Sequence, residues 1–369
     1  MNMKHQNTYL FRDILERVEV PVNVEPDKEY VQIGIRSHGK GLFYKEPVLG
    51  KALGNKQVFW IQPNCFILNV VFAWEQAITK TTENEIGMIG SHRFPMYRPK
   101  NDLVDINYLI YYFLTKRGTD ILEAASPGGA GRNRTLGQER FLKSKITLPT
   151  LPEQQKIAAI LSTQDKVIEL KEKLLAQKQQ QKKYLMQQLL TGKKRLSGFN
   201  EKWRFAKLEN VSKYSASAAS FKTYESHLGC GPYPVYDASG CFGNIDFYEN
   251  EQPYISIVKD GAGAGRVALC KEKSSTIGTL GCIFANDIDL LYLFYCMSAV
   301  DFQIYSNGST IPHVYYKDYK NMVLYLPCEL EQKAIVEILS AADHEIDLLQ
   351  KSIEAEKQKK KALMQLLLT

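Results

Sequence analysis

Three sets of residues in this chain are of types that do chemistry: a glycine run, a scatter of histidines and cysteines, and a series of arginines and lysines beside turns. The glycine run, Gly261-Ala-Gly-Ala-Gly265, has the composition of a loop that cradles a nucleotide or a methyl donor. Its spacing is G-x-G-x-G, no Lys-Ser/Thr follows it, and no acidic residue stands about 20 positions on in a convincing strand, so the phosphate-cradle reading fails. A turn against a DNA backbone and a plain tight hairpin both remain open for it. No Asn-Pro-Pro-aromatic loop of the amino-methyltransferase type is present. His38, His92, His227 and His313 are scattered, and His227 with Cys230 and Cys241 lacks a fourth ligand, so no metal site is expected. The chain is expected to carry no catalytic residue and no cofactor of its own.

What remains is binding chemistry. Arginine grips guanine O6 and N7, or a phosphate, with two parallel hydrogen bonds, and it does so from loops that can approach a groove. In the first half of the chain the candidates are Arg36, His38 and Lys40; Arg93, Arg98 and Lys100; and Arg132, Arg134 and Arg140. In the second half they are Lys222, Lys259, Arg266, His313, Tyr315 and Lys317. Each alone reads equally as a solvated surface charge. The groups that follow glycine-bearing loops, Arg132 with Arg134 and His313 with Tyr315, carry the reading further. A net charge of +7, from 47 basic against 40 acidic residues, permits a polyanionic partner without requiring one. Aromatic residues make up 11%, and most, such as Tyr97, Tyr111, Tyr112 and Tyr292, stand at strand or helix spacing that marks core.

The elements that must position these residues are organised by a repeat. A shift of 178 residues brings Leu148-Pro149 onto Leu326-Pro327, and the match runs without a gap to Thr369, with roughly half of the 44 pairs identical. Each copy predicts one long helix. Pro152 suits a helix start, Glu153 and Glu331 suit the positive end of the dipole, and no glycine or proline follows for ~38 residues, giving a rod of ~57 Å. In the second copy Leu339, Ile346, Ile353 and Leu367 recur at multiples of seven, with Ala342, Leu349 and Leu363 as companions, which is a coiled-coil seam. The first copy carries Leu161, Ile168, Leu175 and Leu189 in the same register, but Gln164, Lys171 and Lys178 interrupt its companion row. Antiparallel packing of the two helices would place the globular segments at opposite ends of a rod.

At 369 residues the chain exceeds one ordinary core, at roughly 150 residues per domain. The expected division is residues 1–147, globular; 148–192, long helix; 193–325, globular; and 326–369, long helix. In the first globular segment QVFWIQPNCFILNVVFAW and EIGMIGSHRF read as strands and INYLIYYFLT as a buried helix. In the second, QPYISIVKDGAGAGRVALC, TIGTLGCIFA and LLYLFYCMSAV come in the same order. Residues 191–203, TGKKRLSGFNEKW, read as a linker whose basic run is either solvated or in contact with phosphate. Seven widely spread cysteines without a C-x-x-C pair point to reduced thiols, and neither a signal peptide nor a membrane span is found, so a soluble cytoplasmic protein is expected.

The pattern L-P-x-x-x-E-Q-x-x-I-x-x-I-L-S, present twice, each time after a variable segment and before a long helix, resembles the specificity subunits of type I restriction-modification systems. YVQIGIRSHGKGLFYKE (30–46), SGFNEKW (197–203) and KDGAGAG (259–265) resemble further stretches of that family. The second copy departs from the pattern where Glu329-Leu330 stand for Leu151-Pro152. The resemblance implies an α+β fold with two target-recognition domains, a pair of long antiparallel helices and a pseudo-twofold internal repeat. It implies a non-catalytic subunit that binds double-stranded DNA, one domain per half of a bipartite asymmetric site, with the helices setting the spacer. It also implies docking of two methyltransferase subunits, for which Pro149, Glu153, Gln154, Pro327, Glu331 and Gln332 are the candidates, and recruitment of restriction subunits. S-adenosylmethionine, ATP and magnesium would then belong to those partners. Two other classes stay open: a coiled-coil adaptor whose variable domains bind proteins, and a methyltransferase in its own right, against which the missing motifs argue.

Overall fold

The computed structural model describes residues 7–54, 57–128, 134–308 and 311–368. The chain forms two compact units, one of Met1–Leu170 with Ile353–Thr369 and one of Lys171–Ser352. Each unit has the same frame.

In unit 1 the strand Asn7–Leu10 pairs antiparallel with Lys145–Leu148, Asn7 opposite Leu148, and a single helical turn, Phe11–Ile14, follows. A four-stranded antiparallel sheet comes next, in the order Leu15–Val18, Met96–Pro99, Phe66–Leu68, Ile78–Lys80. In unit 2 Arg204–Lys207 pairs with Val323–Leu326, the turn is Leu208–Val211, and the sheet runs Ser212–Ser215, Leu280–Ala285, Tyr254–Val258, Val267–Cys270. The strand of TIGTLGCIFA therefore corresponds to Met96–Pro99 and not to EIGMIGSHRF, whose strand Ile89–Ser91 pairs instead with Val58–Trp60. Local pattern gives strand order along the chain; hydrogen bonding across the sheet decides equivalence. The last residues of QVFWIQPNCFILNVVFAW also leave the strand pattern, because Ala73–Glu75 is a 3-10 turn.

INYLIYYF and LLYLFYCMS are apolar nearly all round, so both form buried helices, Ile106–Phe113 and Leu290–Ser298. Each starts on an aspartate whose carboxylate accepts from the backbone three residues on: Asp105 from Tyr108 N at 2.8 Å and Asp289 from Tyr292 N at 2.9 Å. The core of unit 1 is a cluster of phenylalanines, with Phe11 4.7 Å from Phe141 and 5.4 Å from Phe113 between ring centroids. Burial of each is worth roughly 2–3 kcal/mol relative to exposure.

The long helices span Leu151–Leu189 and Glu329–Leu368. The start of one and the end of the other enter each core: Ile157 and Leu161 with Leu368 in unit 1, Ile335 and Leu339 with Met186 and Leu189 in unit 2. Leu161, Leu189, Leu339 and Ile353 are buried, as the seven-residue pattern predicts. The helices pack antiparallel. In unit 1 Gln164 Nε2 donates to Glu356 Oε2 at 2.7 Å, and in unit 2 Lys171 Nζ lies 2.7 Å from Ser352 Oγ and Lys178 Nζ 2.8 Å from Glu345 Oε1. The three residues that break the apolar row thus each bond across the pair.

One further arrangement occurs in both units. Tyr111 OH donates to Asp165 at 2.8 Å, and Lys360 pairs with Asp165 and lies 5.7 Å from the centre of the Tyr111 ring. Tyr295 OH donates to Asp343 at 2.8 Å, and Lys182 pairs with Asp343 and lies 5.4 Å from the Tyr295 ring. Each set ties a buried domain helix to both long helices. Burial, with the adjacent carboxylate adding to it, pushes the Tyr295 hydroxyl up to about 12, so it stays a donor.

Candidate nucleic-acid interface

The candidates of unit 1 gather around one segment, Val70–Gln76. His38 sits in the left-handed region (φ 60°) at the tip of the hairpin Ile33–Ile35/Leu42–Tyr44, and its N–H donates to Glu75 O at 2.8 Å. Gly39, also left-handed, donates to Gln76 O at 2.9 Å, and Ser37 Oγ donates to the Glu75 carboxylate at 3.0 Å. Arg36 on the same hairpin stacks 5.3 Å from the Phe43 ring and donates to Leu42 O, while Lys40 is exposed. Arg134 stacks 5.3 Å from Trp74. Arg93 accepts from Val70 N through its carbonyl at 3.0 Å, and its side chain lines a concavity of about 300 Å³ with Gln32, Lys45, Asn69, Ser91 and His92. The hairpin that carries Arg36, His38 and Lys40, and Arg93, are therefore joined by backbone bonds to one turn, and Arg134 joins them by stacking on Trp74.

Arg98, Lys100 and Arg140 do not belong to that group. Arg98 lies within the strand Met96–Pro99, opposite Glu16, rather than on a loop; Lys100 follows that strand, and Arg140 is on the helix Gln138–Lys143. Arg132 lies outside the described residues.

In unit 2 the glycine run is the hairpin joining Tyr254–Val258 to Val267–Cys270. Gly261 and Gly265 have φ near +90°, Ala264 N donates to Gly261 O, and Gly265 N donates to Val258 O. A strand follows, where a nucleotide loop would open a helix. The hairpin abuts the segment 312–314: Gly261 N donates to Pro312 O at 3.0 Å and Val314 N to Lys259 O at 2.8 Å. Lys259, His313, Tyr315 and Lys317 are thereby brought together, His313 and Tyr315 with parallel rings (4°, centroids 5.8 Å apart) and Lys317 Nζ 5.6 Å from the Tyr315 ring. Lys317 is on a short helix, Tyr316–Tyr319, not on a loop. Arg266 leaves the same hairpin and donates to Ala238 O. Lys222, on the helix Phe221–Glu225, stands on another element.

The helix starts are built inward. Gln154 is fully buried, donating to Leu103 O at 3.0 Å and Pro149 O at 2.9 Å and accepting from Asp105 N at 2.9 Å. Gln332 repeats this, donating to Pro327 O at 3.0 Å and accepting from Asp289 N at 3.0 Å. The Glu331 carboxylate is buried and accepts from Arg195 Nε and Nη2, both at 2.8 Å, and from Trp203 Nε1 at 2.9 Å. Arg195 is thus pinned to the second long helix, against the reading of residues 191–203 as a loose basic linker; Lys193 and Lys194 beside it are exposed. Pro327 is buried, and Pro149 and Glu153 are half-buried.

Four cysteines, Cys65, Cys270, Cys282 and Cys296, are buried. Burial pushes the Cys282 thiol up to about 11 and Cys296 to about 12, which suits inert packing rather than nucleophilic chemistry. Among the described residues no group of three His, Cys, Asp or Glu is placed to hold a metal, and no helix is long and apolar enough to cross a membrane.

Sequence reasoning missed Asp260, whose carboxylate meets His313 at 2.7 Å, and the Tyr–Asp–Lys sets. For the latter a signal existed: Asp165/Asp343 and Lys182/Lys360 are identical pairs at the repeat shift.

Comparison with known proteins bears on both units. The model of the type I restriction modification DNA specificity domain matches twice, over residues 24–180 and 200–357. A protein of Methanocaldococcus jannaschii named as the type I restriction enzyme MjaX specificity subunit is 26% identical over 299 residues, 74% of this chain and 70% of that protein. The MjaVIII specificity subunit of the same organism is 37% identical over 131 residues, 34% of this chain and 30% of its own length. The type I restriction-modification S subunit from M. genitalium has the same fold, with a TM-score of 0.64 at 15% identity, covering 100% of this chain and 97% of that one.

Proposed function

Because the chain belongs to the family of type I restriction modification DNA specificity domains, we propose that units 1 and 2 each read one half of a bipartite, asymmetric DNA site for a restriction-modification complex. The observation that carries this reading is the duplicated frame with different additions: the same ribbon and four-stranded sheet in both units, extended by short hairpins in unit 1 and by the sheet Gly240–Ile245, Tyr233–Asp237, Ser275–Thr276 in unit 2. A duplicated scaffold with divergent outer elements suits two readers of different sequences. The chain itself is non-catalytic on this reading. In a cytoplasmic complex, two methyltransferase subunits would dock where the long helices leave the domains. The buried Gln154, Glu331 and Gln332 would shape that surface, and Pro149, Glu153 and Pro327 would border it. S-adenosylmethionine, ATP and magnesium belong to those subunits and to the restriction subunits.

The test is genome-wide mapping of methylated adenines in a methylation-free host that expresses this chain with the methyltransferase subunit encoded beside it. One bipartite motif is expected, absent when this chain is omitted. A stable complex that produces no motif would favour an adaptor that binds proteins.

The helix pair is proposed to set the spacer between the half-sites. One extra turn after Gln180, matched by one between His344 and Glu345, adds about 5.4 Å, so the mapped spacer should lengthen by about one to two base pairs at 3.4 Å each, with both half-sequences unchanged. Altered half-sequences at a fixed spacer would refute that role for the helices.

A further inference from the structure

We infer that His313 reads a base edge in the half-site taken by unit 2, with Nε2 as the reading atom and Asp260 as the group that fixes its orientation. This rests on the DNA-reading function proposed above and adds to it one residue and the class of atom it recognises.

A surface histidine is ordinarily mobile, and His313 is held from both flanks. Asn307 and His313 exchange two backbone hydrogen bonds, N to O and O to N, each of 2.8 Å. On the other side the glycine hairpin holds residues 312 and 314 through Gly261 N and Lys259 O. Gly308 lies close to the ring: its φ is 98°, and an added Cβ would stand 2.4 Å from Ile311 O and 3.2 Å from His313 Cδ2. The ring is therefore fixed in place as well as in backbone position, which is the condition for reading rather than brushing a ligand.

The chemistry of the ring's edges follows. Nδ1 lies 2.7 Å from Asp260 Oδ1, so its hydrogen is committed to the carboxylate. No described residue is hydrogen-bonded to Nε2, and the side chain is 33% exposed. With Nδ1 carrying the hydrogen, neutral imidazole offers Nε2 as an acceptor for the N6 amine of adenine or the N4 amine of cytosine; imidazolium offers it as a donor to guanine O6 or N7. A phosphate is the poorer partner, because Asp260 touches the ring and Asp318 is bonded to Asn307 at the foot of the same loop at 3.0 Å. Two carboxylates repel a phosphate, whereas a base edge is neutral. Lys259 and Lys317 flank the array and supply the cations for the backbone, and the exposed Tyr315 ring lies parallel to His313 as an apolar wall.

The experiment compares methylation motifs in the same host for the full chain and for His313→Ala, His313→Gln and Asp260→Asn, each with its methyltransferase subunit. The expected result is that His313→Ala relaxes one base pair of one half-site, where a preference of roughly ten-fold or more falls toward parity, while the other half-site is unchanged. Asp260→Asn relaxes the same position to a smaller degree. An unchanged motif, or methylation reduced evenly over all sites with every base preference retained, overturns the inference. Should His313→Ala give no methylation, His313→Gln is read under the same criterion. Absence of any motif with the unaltered chain would instead remove the DNA-reading function beneath it.

Discussion

Gln154→Ala will destabilise unit 1 by about 3 kcal/mol, and Gln332→Ala will destabilise unit 2 by about 2 kcal/mol. Both side chains are buried at the start of a long helix, where they join that helix to the turn that begins a domain helix. Gln154 satisfies two carbonyls and one N–H; Gln332 satisfies one of each. Alanine leaves these groups dry and without partners, each at a cost that exceeds the net worth of the bond it had, and it adds a cavity. Thermal unfolding should show the loss as a fall of several degrees. Hydrogen exchange should locate it, with amides of Ile106–Phe113 released in the first variant and those of Leu290–Ser298 in the second. Wild-type stability in both would mean that the glutamines are bystanders to the joint.

Arg195→Ala is the second large effect. Glu331 is 1% exposed by side chain, and two of its three hydrogen bonds come from Arg195. Without them a buried carboxylate keeps a single indole donor, and an uncompensated buried charge costs about 3 kcal/mol or more. Adding Glu331→Gln to Arg195→Ala removes the charge and should restore a good part of the loss, so the double variant is expected to be more stable than Arg195→Ala alone. A double-mutant cycle in chemical denaturation measures this. Additive losses would show that Glu331 and Arg195 act independently.

These two sites also show where reading the sequence succeeds and where it stops. Gln154/Gln332, Asp165/Asp343 and Lys182/Lys360 stand out as identical pairs at a shift of 178, so their importance was legible. Their roles were not, because the partners Asp105/Asp289 and Tyr111/Tyr295 recur at a different offset, set by domains of unequal length. The docking role assigned to the glutamines came from their place in the motif; their burial and bonding became visible only in three dimensions. Gln164, Lys171 and Lys178 looked like faults in a seam because periodicity describes one helix at a time, whereas their partners stand on the other helix: Ser352 and Glu345 beside its apolar rows, and Glu356 at the position between Leu349 and Leu363 in its companion row. The assembly around Val70–Gln76 depends on strand pairings between distant segments, as does the meeting of His313 with Asp260, 53 residues away. Arg98 and Lys317 were placed on loops because neither a short strand nor a one-turn helix leaves a periodic trace.

The polar bonds across the helix pair bear on how the chain is made. The last residue of the first long helix precedes the start of the second by 140 residues, 189 to 329, so a ribosome adding ~5–20 residues per second leaves the earlier helix waiting for roughly 7–28 s. During that interval Gln164, Lys171 and Lys178 face outward from its seam. A helix so marked is a poor match for an identical helix on a neighbouring nascent chain, which at the same antiparallel register would set Leu174 against Lys171 and Val167 against Lys178, and a good match for the later one, which brings Ser352, Glu345 and Glu356 to those positions. What weakens the earlier helix as a coiled coil thus protects it from the wrong mate until its own arrives.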